Sequence, residues 1–187
     1  MKCLTLVSSV LALTAAVTAA PYALRQAARP SGPPPLKAKL LAYVAGTETP
    51  FGVISANGTL VPTSTPPQHN LPGIPLPPVP EADEPVFTLT YTPTKRATIF
   101  AASVTGPEGT CAVSAEGLLD CTQAATTEGV RVESTVYGWE LDVNGDWWWY
   151  ENPPVDRTAP RVVHASYGEI KGQAPFQIMV VPVVASA

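Results

Sequence analysis

The chain has 187 residues, with 11 Lys+Arg against 15 Asp+Glu and a formal charge of −4. A mildly acidic chain with so few cations has no basic stripe, which argues against nucleic acid as a partner. Its length suits one domain once a leader is removed.

Met1-Lys2 is a short positive start, and the run from Cys3 to Val17 carries no charge and is rich in Leu, Val and Ala. That length fits the apolar part of a secretory signal peptide, whereas a membrane span needs about 20 apolar residues. Small residues in Val17-Thr18-Ala19-Ala20-Pro21 allow cleavage after Ala19 or Ala20. Proline hinders the peptidase when it follows the cut, so residues 1–19 are the expected leader. An uncleaved anchor or a buried helix competes with this reading, but Pro21 stops a helix and polar sequence follows. The expected location is therefore extracellular, and no later segment is long enough for a membrane span in the mature chain.

Residues 20–36, with Pro30 and Pro33-Pro34-Pro35, have no apolar period and read as a flexible N-terminal segment. From residue 37 to 187 the pattern is that of an all-β domain: short Val, Ile, Thr and aromatic runs broken by Gly, Pro, Asn and Asp. Expected strands are Lys39–Val44, Phe51–Ser55, Val86–Tyr91, Ala97–Val104, Thr110–Ser114, Gly129–Val136, Tyr137–Val143, Asp146–Tyr150, Arg161–Tyr167 and Phe176–Val181. Leu36, Leu40 and Leu41 also allow a short helix over Lys37–Ala45. Many short, evenly spaced strands indicate a β-sandwich or a barrel.

Nine prolines fall within residues 62–85. Proline lacks the amide donor and fixes φ, so this insertion is neither helix nor central strand. It reads as a long proline-rich loop interrupting one domain, because the part before it is too small to hold a core. Docking of a proline-recognition module is the sharper alternative, and export weakens it. The apolar Ile178–Val184 could belong to a lipid-anchor signal, but it is short and contains Pro182, so a last strand fits better.

Cys111 and Cys121 are the cysteines left after leader removal. An even count in an exported chain implies a disulfide, and a hairpin around Glu116-Gly117 would bring the sulfurs together. The chain has only two histidines, His69 and His164, and neither lies near a cysteine, so no metal site is expected. No cofactor motif, nucleophile elbow or Cys–His arrangement appears, and a non-enzymatic protein is expected. Lys95-Arg96 could be a processing site, though a solvated turn between strands accounts for it.

The densest functional signal is Tyr137-Gly-Trp-Glu-Leu-Asp-Val-Asn-Gly-Asp-Trp-Trp-Trp-Tyr150. Asn144-Gly145 predicts a two-residue hairpin turn, which pairs Val143 with Asp146, Asp142 with Trp147, Leu141 with Trp148, Glu140 with Trp149 and Trp139 with Tyr150. Paired residues share a face, so Val143, Leu141, Trp148, Trp139 and Tyr150 form a core face. Trp147 and Trp149 lie on the other face beside Glu140 and Asp142. Flat aromatics next to carboxylates suit sugar: rings cover the apolar face of a pyranose and carboxylates accept its hydroxyls. Alternatively a loop covers the two indoles, or Glu140 and Asp142 serve as an acid–base pair in a glycan-active enzyme. Asp142-Val-Asn144-Gly-Asp146 has calcium-loop spacing at its start, but Trp147 and Pro153 stand where glycine and glutamate are required. Asn57-Gly58-Thr59 is an N-glycosylation sequon that also suits a turn.

Four segments carry a family resemblance: Thr49-Pro-Phe-Gly-Val-Ile-Ser-Ala-Asn57-Gly58; Val113-Ser-Ala-Glu-Gly117-Leu-Leu-Asp-Cys-Thr122-Gln123-Ala124; Gly138-Trp139 with Asn144-Gly145; and Phe176-Gln177-Ile178. In this order they resemble the small secreted fungal proteins of the phialide-type cell-wall family and their IgE-binding allergen relatives. The chain departs from that pattern in its proline-rich insertion and in having Tyr150-Glu-Asn-Pro153 where a late cysteine is expected. The resemblance implies a β-rich domain, secretion or wall association, and a structural or host-contact role, with no catalytic residues. The expected partners are a cell-wall polysaccharide or an extracellular protein.

Overall fold

Branched and aromatic residues in short runs favour the pleated backbone, and the Gly, Asn and Asp between them favour turns. The computed structural model describes residues 34–47, 49–64, 84–94, 98–124, 130–143, 145–151 and 158–183. Their strands are β1 (Lys37–Tyr43), β2 (Gly52–Ile54), β3 (Leu60–Pro62), β4 (Phe87–Pro93), β5 (Ile99–Thr105), β6 (Thr110–Val113), β7 (Leu119–Gln123), β8 (Arg131–Thr135), β9 (Gly138–Asp142), β10 (Trp147–Glu151), β11 (Val163–Ser166) and β12 (Gln173–Pro182). Among the described residues there is no helix, and so none long and apolar enough to cross a membrane.

The fold is all-β and built on a barrel. Strands β1, β4, β5, β8, β9 and β12 pair antiparallel in that order, and β12 returns to β1 to close the ring. Closure removes the open strand edges that invite aggregation. Strands β2, β3, β10 and β11 make a second circuit on the shared β1 and β12, while β6 and β7 form a hairpin attached to β5. β1 leads through β2 to β3, and β12 leads through β10 to β11. Leu60 and Arg161 join the two arms, each backbone amide donating to the other's carbonyl at 2.8 Å.

Alternation sets which side chains enter the barrel. Along β1, Ala38, Leu40 and Ala42 are fully buried, while Lys39, Leu41 and Tyr43 are half-buried. This period of two rules out the helix considered for Lys37–Ala45. One core runs through both circuits. In the barrel, Phe100 meets Tyr91 and Trp139 edge-on at 6.1 and 5.8 Å between ring centres. In the second circuit, Phe51, Tyr150 and Phe176 form a triangle with ring centres 5.3, 5.5 and 6.0 Å apart. Such pairs add about 0.5–1.5 kcal/mol each beyond the area they bury.

Each expected strand is present, with shifted ends. β7 is additional, β3 is the strand on the far side of the turn expected at Asn57-Gly58, and both are short return strands of hairpins. Two expected boundaries move. The last residues of the flexible segment 20–36 belong to the fold: Pro34 is buried, the Leu36 carbonyl accepts from Leu89 N at 2.8 Å, and Tyr91 Oη donates to the Pro35 carbonyl at 2.7 Å. The ends of the insertion 62–85 are likewise held. Thr63 N and Ser64 N both donate to the Phe51 carbonyl, and Lys39 Nζ meets Glu84 Oε2 at 2.6 Å. The expected leader 1–19, the rest of segment 20–33, insertion residues 65–83 including His69, Lys95-Arg96 and Asn144 lie outside the described residues.

The expected disulfide is formed. Cys111 and Cys121 lie on β6 and β7, joined with S–S 2.11 Å. The hairpin turns at Ser114–Leu118, where Gly117 has φ +80° and its amide donates to the Ser114 carbonyl at 2.9 Å. Both cysteines are fully buried.

Candidate functional site

At the expected turn the two runs meet in a single pair, Val143 with Asp146. Asp146 N donates to the Val143 carbonyl at 2.8 Å, Gly145 takes φ +87°, and the Asp142 carboxylate accepts from Gly145 N at 3.2 Å. The expected ladder beyond it does not form. β9 pairs with β12 at Leu141↔Ile178 and Glu140↔Met179, and β10 pairs with β12 from Trp148↔Phe176 to Glu151↔Gln173. The pairings of Asp142 with Trp147, Leu141 with Trp148, Glu140 with Trp149 and Trp139 with Tyr150 are thus replaced. The turn signal is local, whereas ten-residue β12 offers backbone partners to both strands and wins.

The division into faces survives this change of partner. Along β12, Phe176, Ile178 and Val180 point into the core, so Pro175, Gln177 and Met179 point outward. Trp149 lies opposite Pro175 and Glu140 opposite Met179, and paired residues share a face. By alternation along β10 and β9, Trp147 and Asp142 are outward as well. The expected core residues Val143, Leu141, Trp148, Trp139 and Tyr150 are all buried. Trp148 Nε1 is satisfied by donating to the Leu141 carbonyl at 2.7 Å.

The two outward indoles differ. Trp147 is 49% exposed, but Trp149 is only 7% exposed and its Nε1 donates to the Ser166 carbonyl at 3.1 Å. Trp149 stands in the ladder between His164 and Pro175. The expected pair of exposed platforms is therefore corrected to one: Trp147 is open and Trp149 is packed. Tyr167, 85% exposed, follows β11 immediately after Ser166, the ladder partner of Trp147.

Where β8, β9, β12 and β1 run side by side, the outward face is polar and acidic. Gln177 Nε2 donates to Glu140 Oε2 at 3.3 Å. On β8, Glu133 lies opposite Glu140 and Arg131 opposite Asp142, while Tyr43 of β1 flanks Gln177 from the other side. Burial pushes the Glu140 carboxyl up to about 7, and the Asp142 and Glu133 charges add to this against the Gln177 hydrogen bond. Burial also raises Asp142, opposed by the Gly145 amide and the Arg131 guanidinium. Glu140 thus switches between acid and carboxylate near neutrality, able to donate to a hydroxyl in one form and accept from it in the other. Among the described residues there is no group of three or more His, Cys, Asp or Glu able to hold a metal ion.

Gln177, Tyr43, Glu133, Arg131 and Tyr167 escaped the sequence reading. Gln177 and Tyr43 reach the face through pairings between distant strands, and Glu133 and Arg131 through the β8–β9 hairpin. Tyr167 ends an expected strand, and nothing in its neighbours marks it as exposed. Asn57 lies in the β2–β3 turn, away from the strands that build this face.

No family model, curated protein or solved structure matches the chain.

Proposed function

We propose that the protein acts outside the cell as a non-enzymatic β-barrel that binds cell-wall or extracellular glycan on the outer face of β9, β10 and β12. The observation that carries this reading is the half-exposed indole of Trp147 on the same outward face as Glu140, Asp142 and Gln177. An indole covers the apolar face of a pyranose ring, and flanking carboxyl and carboxamide groups exchange hydrogen bonds with its hydroxyls. The face is built on paired strands rather than a loop, so a ligand meets it with little ordering cost. Export is supported by the leader-like residues 1–19, by the Cys111–Cys121 bridge and by the resemblance to secreted wall proteins.

The raised Glu140 favours one second reading, a glycan-active enzyme with Glu140 as proton donor. Co-sedimentation with insoluble chitin and β-glucan tests the first reading, and release of soluble sugar tests the second. Binding lost in Trp147→Ala with no sugar released supports a binding protein. Sugar release abolished in Glu140→Gln supports the enzyme instead.

A further inference from the structure

The β2–β3 turn, Ser55–Thr59, is held by its own side chains. Ser55 N donates to the Thr59 carbonyl at 2.8 Å, and Gly58 N donates to the Ser55 carbonyl at 3.0 Å. Asn57 Oδ1 accepts from Ser55 Oγ, Thr59 N and Thr59 Oγ1 at 2.6, 3.1 and 2.9 Å. The backbone of the turn is clamped onto β7, where Cys121 N donates to the Asn57 carbonyl at 3.2 Å. Gly58 is buried with φ +94°, and a Cβ there would stand 3.0 Å from Leu119 O and 3.1 Å from Cys121 N.

Packing therefore explains Gly58, and the turn explains the Asn57 oxygen. An aspartate would supply the same acceptor. What the fold leaves unexplained is the Asn57 amide nitrogen. The side chain is exposed, and Nδ2 donates no hydrogen bond among the described residues. That nitrogen is the atom an N-linked sugar uses, and the Thr59 hydroxyl that the modification requires already sits on Oδ1.

We propose that Asn57 Nδ2 carries an N-linked glycan, an inference that rests on the export reading but not on the glycan-binding face. In the transfer, Nδ2 forms a bond to the anomeric carbon of an oligosaccharide held on a lipid pyrophosphate. The bond from that carbon to the pyrophosphate oxygen breaks, the lipid pyrophosphate leaves with the bonding electrons, and one amide proton passes to solvent. The folded turn accepts the product without rearrangement, because neither its backbone clamp on β7 nor its Oδ1 contacts involve Nδ2.

The test expresses the full chain in a eukaryotic host, once with its own residues 1–19 and once with an unrelated leader. Cells and medium are both digested with a glycan-removing amidase in heavy-oxygen water. Peptide mass spectrometry should then find residue 57 as heavy-labelled aspartate and a correspondingly reduced intact mass. Asn57→Asp and Thr59→Val should already have the reduced mass before digestion, whereas Thr59→Ser should keep the glycan. Asn57→Asp retains the turn's acceptor and should melt within a few degrees of the undigested wild type, which separates loss of sugar from loss of fold. Unmodified Asn57 in the chain carrying the unrelated leader overturns the proposal, whether that chain is retained or released. Modification with the unrelated leader but not with residues 1–19 overturns the export reading and leaves the site assignment standing.

Discussion

Replacing Glu140 by Gln should make the protein more stable at neutral pH and remove most of its loss of stability between mildly acidic and mildly basic solution. Burial raises this carboxyl from its ordinary 4.5 to about 7. The folded state therefore holds a proton that the unfolded chain has released anywhere between those values. Stability must fall as pH rises through that window and level off above the folded value. At 1.36 kcal/mol per pH unit, the full gap corresponds to about 3 kcal/mol, of which about 2–3 kcal/mol is lost between about pH 5 and about pH 8. Glutamine cannot ionise and still offers an oxygen to Gln177 Nε2. The assay is urea unfolding of both proteins at those two pH values, read by tryptophan fluorescence. Asp142 is raised too and contributes the same sign in both proteins, so the difference between them reports Glu140 together with its charge coupling to Asp142. Parallel pH profiles for wild type and Glu140→Gln would refute the reasoning, because they would mean that Glu140 ionises in the fold as easily as in water.

Other substitutions test the packing. Trp149→Ala should cost about 3–5 kcal/mol, since it removes a buried indole, whereas half-exposed Trp147→Ala should cost less than about 1 kcal/mol. Chemical denaturation of the two variants side by side checks the contrast. Gly58→Ala forces a non-glycine residue to φ +94° and a methyl group against the backbone of β7, so a loss of about 2–4 kcal/mol is expected by thermal melting. Replacing both Cys111 and Cys121 by Ser should lower stability by about 2–3 kcal/mol, the entropy of a short closed loop, while far-ultraviolet circular dichroism keeps its strand signature.

Strand identity was legible because β-forming residues are locally dense and turn residues punctuate them. Val86–Tyr91 and Thr110–Ser114 needed no knowledge of their partners to be recognised, whereas Lys39–Val44 stayed open to a helix until its burial period was seen. Barrel closure was not legible, because the β1–β12 ladder joins Ala38 to Pro182 and Tyr43 to Gln177 across most of the chain. The tryptophan segment shows both sides. Its alternation marked Trp148 and Tyr150 as core and Trp147 and Glu140 as outward, since alternation belongs to the strand whatever it pairs with. Its partners were misread, since Asn144-Gly145 carries information about four residues and β12 lies thirty residues further on. The separate fates of Trp147 and Trp149 depend on what lies over each indole, which a face assignment does not encode.

The most direct test of the proposed role is depletion of the folded protein from solution by insoluble chitin and β-glucan, measured for wild type and Trp147→Ala with matched melting temperatures. The account predicts that one of these polymers removes the wild type and leaves the variant in solution. Equal depletion of the two proteins, or depletion of neither, would contradict it.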